Sequence, residues 1–431
     1  MTSMDRIFYA VLFILFHISA SFSFEAYIKW ISSGEKLPIG IEKFVISSEE
    51  EKRRAEELLQ VLVDDLYFSG YFTITVKETH SAVVEQQFYP NFGYWADEKP
   101  LVFIIIGRVA IEGTNISFWG KAYDISSKKE ILSMRYKTSK DNVRYISHRF
   151  ADDIIEKLLG RKGIASTKIS FTYSISPNTK EIYIMDYDGY NKKRVTFNKS
   201  ISILPKWLHY KGKNLLLYTS YVDKNPDLYM LDLEKGWSEV VSKIQGLNLV
   251  GKPALDGKYL PLVMTLHGNP EIYIFSLESR TFSRATYHRA IDTSPSFSPS
   301  GDNIAFISDR AGLPQVYIMD KDGVNVRRLT YEGYCDSPDW SPTGELIAYT
   351  CRKDINSGFQ IYVITADGSK VEQLTSVGNN ENPSFSPDGR CLVYSSLEKD
   401  KYVLKVINIE TKFIKTVCEM ENSCLSPSWS Q

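Results

Sequence analysis

Residues 292–330, DTSPSFSPSGDNIAFISDRAGLPQVYIMDKDGVNVRRLT, decide the fold. They read as four short strands joined by tight turns. Residues 294–297 enter the first strand. Ser298-Pro299-Ser300-Gly301 then turns the chain, with Pro fixing φ and Gly permitting φ > 0. Asn303–Ser308, apolar and β-branched, is the second strand, Gln315–Asp320 the third and residues 326–330 the fourth. Between the last two, Asp322-Gly323 is a strong hairpin signal.

The stretch is one copy of a repeat, and two rulers give its period. A proline opens the first strand at Pro205, Pro253, Pro295, Pro338, Pro383 and Pro427, in steps of 48, 42, 43, 45 and 44. The third strand is centred on Tyr183, Tyr229, Tyr273, Tyr317, Tyr362 and Lys405, in steps of 46, 44, 44, 45 and 43. Four strands per unit of about 44 residues is the signature of a β-propeller blade. The phase of the rulers is as informative as the period. The tyrosine series starts before the proline series, and the proline series ends after it. The first unit, residues 168–197, therefore has strands two to four and no first strand. Its missing strand is CLSPSWSQ, residues 424–431. Six complete blades form only if the end of the chain joins the first blade, which leaves no open edge in the ring.

A chain of 431 residues has room for this propeller and one further domain. A net charge of −1 carries no basic excess and argues against a nucleic-acid partner. Arg6 precedes an apolar run at 7–16 and small residues at Ser19, Ala20, Ser21 and Ser23, which reads as a secretory signal peptide over 1–23, cleaved after Ser21 or Ser23, with a retained anchor as the plainer alternative. Residues 24–36 form a flexible N-terminal segment, apolar at first and then rich in Ser and Gly before Pro38. It either pairs with the next domain's sheet or tethers a partner by strand addition. Residues 37–163 read as an α/β domain. A strand over 39–47 leads to a helix capped by Ser48 with Glu51, carrying Ala55, Leu58, Leu59, Leu62 and Leu66 on one face. Gly70 ends it, and residues 71–76 alternate as a strand. Residues 80–99 are irregular and aromatic. Three antiparallel strands follow over 101–111, 116–125 and 130–138. Asp141 is placed to cap a second helix with Ile146, Phe150, Ile154, Leu158 and Leu159 on its buried side and Gly160 as its stop. The fold class is thus a small N-terminal α/β domain followed by a six-bladed propeller over 164–431, closed by its C-terminal strand.

Five cysteines, Cys335, Cys351, Cys391, Cys418 and Cys424, all lie late in the propeller. Cys418 and Cys424 bracket a short connection and can pair; buried free thiols are expected for most of the five. The spacing fits no zinc site. DYDGYN (186–191) and DKDGVN (320–325) lack the ligand series of a calcium loop and read as hairpin turns. The chain holds no G-x-S-x-G elbow, H-E-x-x-H, P-loop or dinucleotide fingerprint. No catalytic residue, cofactor or metal is expected.

On several segments the chain resembles the TolB family, the periplasmic propeller proteins of the Tol-Pal system. These are LPIGIEKF (37–44), RYISHRFADDIIEKLLGRKG (144–163), MDYDGYNKKRVT (185–196), SPSFSPSG (294–301) and SPDWSPTG (337–344), in the order helix, linker, six blades. The resemblance implies a non-catalytic periplasmic adaptor, peripheral to membranes and monomeric. It implies that one propeller mouth binds a Pal-like outer-membrane lipoprotein. It also implies that the N-terminal segment, with Glu25, Tyr27, Ile28 and Trp30, binds a TolA-like inner-membrane protein. The implied role is outer-membrane integrity and constriction at cell division.

The loops that lead into each inner strand sit at one mouth. They carry Asp292 and Thr293, Asp336 and Ser337, Asn380 and Asn382, and Asn422, with Leu249 and Lys252 in the third blade. His288 lies near a mouth loop. The resemblance implies that Thr293 is a partner contact, and that Leu249 stands where the family has a histidine. The plainer reading of the Asp, Asn and Ser residues is that they cap backbone groups at strand entries. The alternative function is a secreted enzyme or sugar-binding propeller that uses its central channel.

Overall fold

The computed structural model describes residues 35–84, 87–96 and 101–431. The expected signal peptide and the N-terminal candidates Glu25, Tyr27, Ile28 and Trp30 lie outside the described residues. The chain divides into two compact units, Met1–Ser166 and Thr167–Gln431. Among the described residues no helix is long and apolar enough to cross a membrane.

The first unit contains β1 (Leu37–Glu42), α1 (Glu49–Phe68), β2 (Phe72–Lys77), β3 (Ala82–Val84), β4 (Gln87–Tyr89), β5 (Phe103–Glu112), β6 (Asn115–Asp124), β7 (Glu130–Ser139) and α2 (Val143–Leu159). Its main sheet has the order β2-β1-β5-β6-β7, parallel where β1 meets β2 and β5 and antiparallel beyond. The helix start follows the capping logic with one shift. The Glu51 amide donates to Ser48 Oγ at 3.2 Å, while Glu51 Oε2 accepts from the Ser47 amide at 2.6 Å, one residue before the cap. The helices turn Leu58, Leu62, Leu66, Ile146, Phe150 and Ile154 fully into the core. Asp141 does not cap α2: Asn142 holds that position, and the Asp141 carboxylate instead accepts from Arg54 at 2.8 Å. The aromatic stretch expected to be irregular contains β3, β4 and a short 3-10 turn at Phe92–Trp95. Trp95 is buried against Gly40, where a Cβ would lie 2.6 Å from the indole, and its N–H donates to Glu42 at 3.0 Å. His148 is structural, buried and 2.7 Å from Asp65.

The second unit is six four-stranded antiparallel sheets. The final strand, Cys424–Trp429, pairs with Lys168–Ser176 and supplies the inner strand of the first blade, so the two ends of the ring are hydrogen-bonded together. The Trp429 indole N–H adds a bond to Thr167 Oγ1 at 2.7 Å. The tyrosine ruler has a packing cause. In four blades the third-strand tyrosine lies directly across from a second-strand aromatic: Phe171–Tyr183, Tyr218–Tyr229, Phe306–Tyr317 and Tyr349–Tyr362, with ring centroids 5.5–5.8 Å apart. Such cross-strand pairs stabilise a sheet beyond the area they bury. Gly323 is required in its hairpin: φ is +83°, and a Cβ would meet the Ala285 carbonyl of the preceding blade at 1.8 Å. The two turns with calcium-like sequences use their acids internally, Asn191 donating to Asp186 at 2.6 Å and Asn325 to Asp320 at 2.7 Å. In the founding repeat the inner strand begins earlier than expected, at Asp292, and the outer strand is only Arg327–Arg328.

A disulfide joins Cys335 and Cys351, which face each other on adjacent strands. Cys418 and Cys424, the pair that brackets a short connection, are buried free thiols with their sulfurs 3.3 Å apart, and Cys391 is a third.

Candidate partner-binding site

The geometry of the mouth starts from the repeated X-Pro step. In blades one, two, four, five and six the inner strand breaks register around this step, as a β-bulge. Proline has no N–H to lose there. The residue before it is left-handed each time: Leu204, Ser294, Ser337, Asn382 and Ser426 have φ between 47° and 55°. These side chains, with Lys252 in the third blade, line the central channel together with the buried prolines.

The mouth candidates fall into three groups. Asp292 and Asn380 are fully buried at strand starts. Arg310 donates to both Asp292 oxygens at 3.0 and 3.1 Å, and Asn380 donates to Gln360 at 3.0 Å and to the Val377 carbonyl at 2.8 Å. Asn380 thus caps a backbone carbonyl, whereas Asp292 is held by a side-chain ion pair with Arg310 rather than by a backbone group. Thr293, Ser337, Asn382, Leu249 and Lys252 are part-buried and line the channel together. Asn382 donates to Ser337 Oγ at 2.9 Å, and Lys252 donates to Asp339 and to the Trp340 carbonyl, both at 2.8 Å. Asp336 stands beside this group and accepts from Ser294 Oγ at 3.0 Å and the Ser337 amide at 2.6 Å. Burial pushes its carboxyl above the ordinary aspartate value, Glu381 adds to that, and these two hydrogen bonds oppose it. Asn422 and His288 are exposed in their loops, His288 Nδ1 accepting from the Ala290 amide at 3.0 Å.

A further set of mouth residues comes from the motif Arg-x-Thr-aromatic. It occurs as RVTF (194–197), RATY (284–287) and RLTY (328–331). The threonine hydroxyl accepts an amide in the first half of the third strand, from Ile182 at 2.8 Å, Ile272 at 2.9 Å and Val316 at 2.9 Å. The arginine folds back onto the threonine carbonyl, and in the first and third blades also pairs with Glu181 or Glu271. Its guanidinium lies 4.4–4.8 Å from the centroid of the next aromatic ring. Phe197, Tyr287 and Tyr331 are nevertheless 68%, 72% and 71% exposed. All three sit on loops that lead into an inner strand, the loops that carry the mouth candidates. Arginine-backed aromatics displayed to solvent are the chemistry of an anchor residue at a protein interface. The recurrence of Arg-x-Thr at blade spacing was the sequence signal for them.

Residues 155–431 match the family described as TolB beta propeller domain, and residues 32–131 match TolB amino-terminal domain. Two relatives from Helicobacter pylori named Tol-Pal system protein TolB are each 26% identical. One aligns over 72% of this chain and 73% of its own length, the other over 81% of each. The crystal structure of TolB from Acinetobacter baumannii superposes with a TM-score of 0.78 at 25% identity, over 92% of this chain and 97% of that one. The order of domains, the ring closed by the last strand and both family matches agree: the chain belongs to the TolB family.

Proposed function

We propose that this protein is a non-catalytic periplasmic adaptor of the Tol-Pal system that binds a Pal-like lipoprotein through the propeller mouth. The single observation that carries the reading is the rim set of three exposed, arginine-backed aromatics on loops that lead into inner strands, at the end of the ring that carries the mouth candidates. Leaving three such rings in water forgoes the burial each offers, and a partner surface recovers it. Thr293, Ser337 and Asn382 supply polar contacts just inside the rim, and His288 lies beside Tyr287 on one rim loop. The N-terminal segment, with Glu25, Tyr27, Ile28 and Trp30, engages a TolA-like inner-membrane protein. The two attachments make the chain a link between envelope layers that supports outer-membrane integrity and constriction.

The test is calorimetric titration of the mature protein with the soluble domain of the Pal-like lipoprotein from the same organism. Saturable binding is expected, weakened at least about 10-fold, or about 1.4 kcal/mol, by Tyr287→Ala/Tyr331→Ala. No binding by a folded protein overturns the assignment. Unchanged binding by the double variant removes the rim from the site.

A further inference from the structure

The inner strands carry a second ring, one residue after each proline: Lys206, Ala254, Ser296, Asp339, Ser384 and Ser428. In three blades this side chain clamps the next blade by accepting a backbone amide. Ser296 Oγ accepts from Trp340 at 2.9 Å, Asp339 Oδ2 from Phe385 at 2.9 Å and Ser384 Oγ from Trp429 at 3.1 Å. Lys206 holds the equivalent place in the second blade, and an ammonium cannot accept. It therefore breaks the clamp and puts a positive charge beside the channel. Lys252 is nearby, but Asp339 and the Trp340 carbonyl already hold it. Among the described residues no group accepts a hydrogen bond from Lys206. Lys206 and Lys252 thus share one carboxylate, Asp339, which leaves one ammonium in excess of it. Burial holds the Lys206 pKa below the ordinary lysine value; Asp339 opposes that and Lys252 reinforces it. Asp336 does not compensate the charge, because its carboxylate is turned to Ser294 and Ser337 and its charged neighbour is Glu381.

Lys206 faces a cavity of about 90 Å³ lined by Ser337, Ser426, Asn382 and the prolines. That is space for several water molecules, each of which needs about 10–15 Å³ of such volume. The Ser337 and Ser426 hydroxyl protons have no acceptor among the described residues, so with Lys206 three donor groups line one cavity, and the one carboxylate that acts on Lys206, Asp339, is already bonded to Lys252. A part-buried ammonium in this state is costly until an anion joins it. We propose that the central channel binds a small anion bearing oxygens, an inorganic oxyanion or a free carboxylate, held by Lys206 and the hydroxyls of Ser337 and Ser426. The site shares Ser337 with the partner reading, but the residues varied in its test, Lys206 and Ser426, belong to neither the rim nor the proposed partner contacts, so either reading can fail alone.

The full mature protein is to be melted in chloride buffer and in series of inorganic phosphate, sulfate and acetate at matched ionic strength. Phosphate affinity is then measured by calorimetry. Stabilisation that grows with the logarithm of anion concentration is expected, with phosphate and sulfate ahead of acetate if the site takes a tetrahedral oxyanion and acetate ahead if it takes a carboxylate. Lys206→Met is expected to lose the response and to melt higher than the parent in chloride alone. Ser426→Ala, which keeps the lysine and the packing, is expected to weaken the favoured anion at least threefold, and it decides the matter should Lys206→Met fail to fold. A parent protein that responds to none of the three anions beyond chloride overturns the proposal. So does a response that both variants retain.

Discussion

At the scale of single residues, neighbours in the mouth carry different duties. Asp292 is buried with both oxygens on Arg310. Removing it strands a guanidinium that is only 18% exposed. Asp292→Ala should cost about 3–5 kcal/mol, the range for a buried pair that loses one partner. Thr293→Ala, one residue on, should leave the melting temperature near the parent's and weaken lipoprotein binding. Thermal melts beside calorimetry separate the two. Asp336 behaves differently again. Its folded pKa is raised, so the charged form costs stability above that pKa, and the cost vanishes as pH falls below the unfolded-state value. Asp336→Asn keeps an acceptor for Ser294 and Ser337. It should melt higher than the parent at neutral pH, and the advantage should shrink towards zero in acid below the ordinary aspartate range. An advantage that persists unchanged there would contradict the buried-charge account.

At the scale of elements, the closing strand is the most exposed dependency of the ring. Trp429 is 3% exposed, its indole bonds Thr167, and its amide bonds Ser384 of the neighbouring blade. Trp429→Ala should cost about 3–5 kcal/mol, read by denaturant unfolding of the mature protein. Cutting the chain before Cys424 would also leave the first blade with an unpaired inner edge, which invites aggregation. The Cys335–Cys351 bridge closes a loop of 16 residues, and its loss by Cys335→Ser/Cys351→Ser should cost about 3 kcal/mol. A melting curve unchanged by the double substitution would show that the bridge contributes nothing. The blades and their closure were legible in the sequence because all six copies repeat the Pro, and five of them the Tyr, at a spacing near 44 residues. Burial of Asp292 and Asn380 was not legible. It depends on Arg310 and Gln360, which meet them only after strand pairing. The same holds for the disulfide: cross-strand register, not sequence proximity, brings Cys335 to Cys351 and leaves Cys418 and Cys424 unbonded. Asp141 lost the helix cap to Asn142 because Arg54, on the other helix, claims its carboxylate.

At the scale of the whole molecule, the account places recognition on one end of the propeller ring. The loops leading into inner strands hold the exposed aromatics and the polar channel entrance, whereas the Asp-Gly hairpin of the fourth blade packs its glycine tightly on the preceding blade. The rim was hidden in plain view in the sequence. Phe197, Tyr287 and Tyr331 look like ordinary propeller aromatics until the Arg-x-Thr lock before each is seen to hold the arginine under the ring and the ring out in water. The measurement that tests this most directly is amide hydrogen exchange of the mature protein with and without the soluble domain of its Pal-like lipoprotein. The account predicts slowed exchange in the loops 195–201, 285–291 and 329–333, with no change in the turns 299–302 and 321–325. Protection confined to those turns, or to the first unit, would contradict it.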